Sequence, residues 1–221
     1  MPEQFLHGVE VIEIDGGARP IRTVRSSVIG LVGTAPDAKS DKFPLDTPVL
    51  IAGSRKEATG LGKSGTLPAA IDGIFDQAGA MVVVVRVEAG KDKTKTTANI
   101  IGGIDDKMGN YKGVQALLAA ESVLGVAPRL LIAPGYTQTQ AVVSEMIPIA
   151  RRLRGIVIAD GPNSNDAAAI AYRGNFGSDR LYLVDPWVHV FDAATAKPNV
   201  SPASARVAGV IARSDAERGF W

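Results

Sequence analysis

Residues 129–188 read RLLIAPGYTQTQAVVSEMIPIARRLRGIVIADGPNSNDAAAIAYRGNFGSDRLYLVDPWV. Three runs in this stretch, Arg129-Leu-Leu-Ile-Ala133, Gly155-Ile-Val-Ile-Ala159 and Leu181-Tyr-Leu-Val184, are almost free of polar residues, as strands covered on both faces are. Between the first two, Val142, Val143, Met146, Ile147, Ala150 and Leu153 recur at three- and four-residue spacing, which predicts a helix over 137–153 with one apolar face. Pro148 lies inside that helix and predicts a kink or break, because it removes a backbone donor. Between the second and third runs, residues 163–175 offer Asn163 or Ser164 as a cap and Ala167, Ile170 and Ala171 as a small inward stripe. Two consecutive βαβ units fit this pattern, with right-handed crossovers. The fold class is α/β, a parallel doubly wound sheet flanked by helices.

Working outward, Val9-Glu-Val-Ile-Glu-Ile14 alternates apolar and charged residues except at the Val11-Ile12 doublet, and Asp15-Gly-Gly-Ala18 then signals a turn. This predicts a strand within Phe5–Ile21 that lies outside the main βα alternation. Such a strand completes a sheet in its own subunit or augments one in a neighbour. Ser27-Val-Ile-Gly-Leu-Val-Gly-Thr34 and Val49–Ala52 are the next strands, joined by a polar loop. A helix opens at Thr66 with Leu67, Ala70, Ile71, Ile74, Phe75 and Ala78 inward, and the β-branched run Met81–Val87 is a central strand. Gly90–Lys95 reads as a lysine-rich surface loop, 96–104 as a short helix and 105–110 as a turn. Val114, Leu117, Leu118 and Leu124 mark another amphipathic helix. Beyond residue 186, Trp187–Phe191 is a further strand, Lys197–Asn199 a loop, and 201–218 a last helix with Val207, Val210 and Ile211 inward.

The 221 residues suffice for one sizeable core. Twenty-four basic and 23 acidic residues are interspersed, so neither a nucleic-acid stripe nor a membrane-surface patch is indicated. The absence of cysteine excludes disulfides, thiolate metal sites and a cysteine nucleophile. The N-terminus lacks a signal-peptide pattern and no apolar run approaches spanning length, which points to a soluble chain not exported by that route.

Four constellations bear on chemistry. Glu57-Ala-Thr-Gly-Leu-Gly-Lys63-Ser64 resembles a P-loop, but Glu57 stands where that loop needs glycine and would repel phosphate, so a plain glycine-rich turn is preferred. Asp160 and Asp185 fall at the carboxyl ends of parallel strands, where open α/β sheets bind ligands. No histidine or further acidic motif joins them, and strand-ending turns account for both. A Ser-His-Asp system would rest on His189 alone, since the other histidine, His7, sits in the N-terminal strand and no nucleophile elbow is present. Arg151, Arg152 and Arg154 end the 137–153 helix, where positive charge meets the helix's negative end; inter-subunit salt bridges are the alternative use of three arginines in four positions.

Taken together, several segments resemble the tail sheath protein of contractile bacteriophages and phage-tail-like bacteriocins. They are Phe5-Leu-His-Gly-Val-Glu-Val11, Ala119-Ala-Glu-Ser-Val-Leu-Gly-Val-Ala-Pro-Arg129 with the following Leu-Leu-Ile-Ala-Pro-Gly135, Asp160-Gly-Pro-Asn163, Asn175-Phe-Gly-Ser-Asp-Arg-Leu-Tyr-Leu-Val-Asp-Pro186 and Ser214-Asp-Ala-Glu-Arg-Gly-Phe-Trp221. The similarity is collinear over essentially the whole chain. It implies a structural protein with a subtilisin-like central domain, no working triad and no cofactor. Its subunits polymerise around an inner tail tube, with baseplate and tail terminator as further partners, and contract to drive the tube through a target envelope. Assembly in the bacterial host cytoplasm and a place in the virion tail or bacteriocin particle go with that role, without nucleic-acid binding or membrane insertion. The resemblance also implies an extended N-terminal arm, residues 1–21, with Val9, Val11, Ile12 and Ile14 as its subunit contacts. Residues 22–221 would be the α/β body, truncated before the C-terminal part, so an N-terminal fragment of a sheath subunit is expected.

Overall fold

The computed structural model describes residues 27–106, 108–192 and 197–219, the side chains of Asp192 and Lys197 excepted. The expected arm with Val9, Val11, Ile12 and Ile14, His7, and the terminal Phe220-Trp221 lie outside the described residues. In chain order the elements are β1 (Ile29–Thr34), β2 (Pro48–Ala52), α1 (Arg55–Ala58), α2 (Thr66–Phe75), β3 (Met81–Val87), α3 (Lys93–Ile101), β4 (Gly103–Ile104), β5 (Tyr111–Lys112), α4 (Ala120–Leu124), β6 (Leu130–Ile132), α5 (Gln140–Arg152), β7 (Ile156–Asp160), α6 (Asp166–Gly174), β8 (Leu181–Val184), β9 (Val188–Asp192), β10 (Lys197–Ser201) and α7 (Ser204–Arg218). Short 3₁₀ turns occupy Thr59–Leu61 and Gly113–Ala119.

Six strands form one sheet in the order β2-β3-β1-β6-β7-β8. All neighbours are parallel except β2, which runs antiparallel along β3 at the edge. The strand order reverses direction at β1, with β3 on one side and β6, β7 and β8 on the other, as in a doubly wound sheet. The two faces are covered by different helices because alternate residues of each strand point to opposite faces. Val83, Val85 and Val87 pack with Leu117, Val142, Val143 and Met146 on one face, while Val82, Val84, Ile29 and Leu31 pack with Leu67, Ile71, Ile74 and Ala208 on the other. Two small antiparallel ribbons, β4–β5 and β9–β10, stand outside the sheet.

Several expectations need correction. Helix α6 is capped by Asn165, whose side chain accepts from the Ala168 amide (2.9 Å), not by Asn163 or Ser164. Its expected stripe faces out, Ile170 being 72% exposed; Tyr172 and Arg173 anchor the helix instead. The Tyr172 hydroxyl donates to the Thr137 carbonyl (2.6 Å) and its ring meets Phe176 edge-on, while Arg173 donates to the carbonyls of Phe176 and Ser178 (2.6 and 2.8 Å). In α7 the fully buried face is Ser204, Ala205, Ala208, Gly209 and Ala212; of the residues expected inward, Val207 and Ile211 pack half-buried against the core and Val210 is exposed. Small residues win there because α7 lies so close to α2 that a β-carbon on Gly209 would stand 2.8 Å from the Ile74 carbonyl oxygen.

Residues 197–199 are strand, not loop: Pro198 sits opposite Phe191 in a two-stranded ribbon, the kind of edge position that tolerates proline. The helix expected over 96–104 begins at Lys93, because the Asp92 carboxylate accepts from the Lys95 amide (2.7 Å) and caps it. The helix expected around 114–124 is a 3₁₀ turn followed by the short α4. Finally, α5 is continuous through Pro148 rather than broken. Both Pro148 and Ser144, whose carbonyl loses its usual partner, are exposed, so water can satisfy the freed oxygen.

Candidate functional site

The carboxyl edge of the sheet, at the reversal between β1 and β6, is where a fold of this class holds a ligand. Here the chain's own side chains occupy that crevice. The Thr34 amide donates to Thr66 Oγ1 (3.1 Å), and the Thr34 and Tyr136 hydroxyls lie 3.3 Å apart, both buried. Gly33 permits this approach, since a β-carbon there would stand 2.4 Å from Thr66 Oγ1. Beside the plug remains a cavity of about 250 Å³, walled by Ala69, Pro134, Trp187, Val200 and Pro202.

Asp160 closes β7 and is fully buried. Its carboxylate accepts from the amide (2.7 Å) and hydroxyl (2.6 Å) of Ser204, the first residue of α7, and from the Thr137 hydroxyl (3.3 Å). Its own amide donates back to Thr137 Oγ1 (2.9 Å). Burial pushes this carboxyl above its ordinary value of 3.8, with the bonds from Ser204 and Thr137 pulling the other way. A carboxylate at a helix N-terminus is favourably placed, and here it ties α7 to the end of β7. Asp160 is therefore more than a turn former. Sequence reasoning missed the role because its partner Ser204 is 44 positions away with no local pattern between them.

Asp185 belongs to a different arrangement. Its carboxylate accepts from the Asn163 amide (2.8 Å), Asn163 Oδ1 accepts from the Trp187 amide (3.0 Å), and the Trp187 indole donates to the Gly161 carbonyl (3.2 Å). The two aspartates thus serve adjoining loops and share no partner. Among the described residues there is no cluster of three or more histidine, cysteine, aspartate or glutamate side chains suited to a metal ion.

The Lys63 loop is a turn organised by acids. Glu57 accepts from the Ala52 amide (2.7 Å) and Asp37 from the Ser64 amide (3.2 Å), while Lys63 is exposed. A loop amide that would face phosphate in a P-loop faces a carboxylate here. His189 lies exposed on β9, and among the described residues no hydrogen bond joins it to a serine or aspartate. Arg151 and Arg152 end α5, and Arg154 follows in a left-handed conformation (φ 54°). All three are exposed, and among the described residues none has an acidic partner.

The phage tail sheath protein central domain matches residues 109–221, and the N-terminal region of domain III of the tail sheath protein Gp18 matches residues 26–87. The tail sheath protein of Escherichia phage P2 is 40% identical over 224 residues, covering 98% of this chain and 56% of the relative. The major tail sheath protein of Serratia phage KSP20 is 37% identical over 224 residues, covering 100% of this chain and 56% of the relative. The chain therefore spans about half the length of the curated relatives it matches. Among solved structures, the fold is shared with a chain of the anti-feeding prophage baseplate in its contracted state (TM-score 0.70, 16% identity, 97% of this chain and 55% of that one). It is shared also with the helical sheath of the same system in the contracted state (TM-score 0.57, 22% identity, 98% and 55%). With a family model matching more than half of its residues, the chain belongs to the phage tail sheath protein family.

Proposed function

We propose that this chain is the body of a contractile tail sheath subunit, a structural element that polymerises around an inner tube and contracts to drive that tube through a target envelope. The observation that carries the reading is the 40% identity to the phage P2 tail sheath protein, sustained over 98% of the chain. The site chemistry supports it: the polar groups at the ligand edge of the sheet are turned on one another, as suits a rigid body rather than a catalyst. Its partners in this reading are other copies of itself, the inner tail tube, the baseplate and the tail terminator. Assembly takes place in the bacterial host cytoplasm, and no cofactor takes part.

Residues 1–21 form the arm that reaches a neighbouring subunit, with Val9, Val11, Ile12 and Ile14 supplying its apolar contacts. Arg151, Arg152 and Arg154, which have no acidic partner among the described residues, supply salt bridges to an acidic surface of another subunit. The test is deletion of residues 2–20 from a protein of full sheath length, that is, this chain continued by the remainder its relatives possess. The expected result is a folded protein that no longer forms tubes; tubes of normal length from the deletion variant would overturn the arm assignment.

A further inference from the structure

Among the described residues only two charged side chains are buried, Asp160 and Arg86, and they are treated very differently. Asp160 is satisfied by Ser204 and Thr137. Arg86, near the end of β3 and 7% exposed, has no carboxylate within salt-bridge distance among the described residues. Its Nη1 donates to the Ala35 carbonyl at 3.4 Å and its Nη2 to Ser40 Oγ at 3.2 Å, both long, and its Nε is buried with no partner. Other arginines do better: Arg55 and Arg206 share Asp76, Arg213 has Glu217, and Arg173 has two carbonyls at short range. Nor can the two buried charges offset each other. β3 and β7 are separated by β1 and β6, three strand spacings or roughly 14 Å.

A buried guanidinium without an anion is costly, and such charges are ordinarily paired. Ser40, the side chain bonded to Nη2, lies in the segment 36–42, whose residues Pro36, Asp37, Lys39, Ser40, Asp41 and Lys42 are exposed. Asp37 is engaged with the Ser64 amide, and the two lysines offset the two aspartates. We propose that Arg86 and Ser40 form an oxyanion-binding site. An entering carboxylate or phosphate oxygen displaces Ser40 Oγ from Nη2, takes the free Nε–H as its second donor in the side-on bidentate geometry that guanidinium favours, and accepts the Ser40 hydroxyl. The site does not rest on the sheath reading.

The test follows the Arg86 Nε–H resonance of this chain by ¹⁵N NMR, identified by its loss in Arg86→Lys, during titration with acetate and, separately, inorganic phosphate against chloride at constant ionic strength. The expected result is a saturable downfield shift, with a rise in melting temperature that Arg86→Met lacks. Tighter saturation by acetate assigns an acidic side chain of a partner protein as the natural source of the oxyanion; tighter saturation by phosphate assigns a free phosphate. A resonance unmoved by both anions overturns the site, as does a melting-temperature response equal in Arg86→Met. The resonance is read on the unmodified chain, and should Arg86→Lys fold poorly its assignment comes from the through-bond correlations of the Arg86 side chain to its own backbone, so poor folding of either variant does not shield the proposal.

Discussion

Asp160 carries two opposed effects in one side chain. Its hydrogen bonds organise the start of α7, yet its charge is held away from water. Asp160→Ala leaves the Ser204 amide and hydroxyl buried without their acceptor, and a loss of about 2–4 kcal/mol in denaturant unfolding is expected. Asp160→Asn keeps one acceptor and the shape, and about 1 kcal/mol is expected. The pH dependence has a definite sign. Because the folded-state pKa is raised above 3.8, the group's contribution is greatest below that value and is lost as pH rises through the raised one. Asp160→Asn should therefore show a flatter stability profile than the parent from pH 3.8 upward; an unchanged slope would contradict the assignment. The sequence made Asp160 visible as a strand-ending acid at the ligand edge. It could not disclose Ser204, because a bond across 44 residues leaves no periodic trace.

At the scale of elements, the large apolar residues were legible where they face a sheet and misleading where two helices meet. β6, β7, α2 and α5 follow the pattern of Leu, Ile and Val, since a sheet face accepts bulky side chains, but β8, expected to be covered on both faces, is the edge strand of the sheet, with Tyr182 54% exposed. α7 follows the small residues instead, and its Val210 points to solvent. Gly209→Ala tests that packing. The added methyl gains up to about 1 kcal/mol of helix propensity, but it meets the Ile74 carbonyl oxygen at 2.8 Å and Gln77 Cβ at 3.0 Å. A net loss of roughly 1–2 kcal/mol is expected from overpacking, and a higher melting temperature would mean that α7 has room to retreat. Pro148→Ala in α5 should act in the opposite direction. It restores a backbone bond on the exposed face, with a gain of about 1 kcal/mol after the unfolded chain's added freedom is counted. The expected break drew on proline's effect in a helix interior; exposure of Pro148 and Ser144 is what lets the helix run on.

For the whole molecule, family membership was legible from collinear motifs spread over the chain, whereas no single motif would have sufficed. The Lys63 loop shows why: a P-loop-like string proves to be a turn held by Glu57 and Asp37. The three exposed arginines give a prediction that separates assembly from stability. Replacing Arg151, Arg152 and Arg154 by glutamine should cost the isolated chain only the few tenths of a kcal/mol (~0.3–1) that positive charge contributes at a helix C-terminus, because none has an acidic partner among the described residues. The same change in a protein of full sheath length should weaken tube formation, measured by sedimentation. The central claim is that this body builds a sheath, and negative-stain electron microscopy of the sheath-length protein, purified alone, tests it most directly. Regular hollow tubes with a helical repeat are the predicted result; monodisperse globular particles at every salt and protein concentration would contradict it.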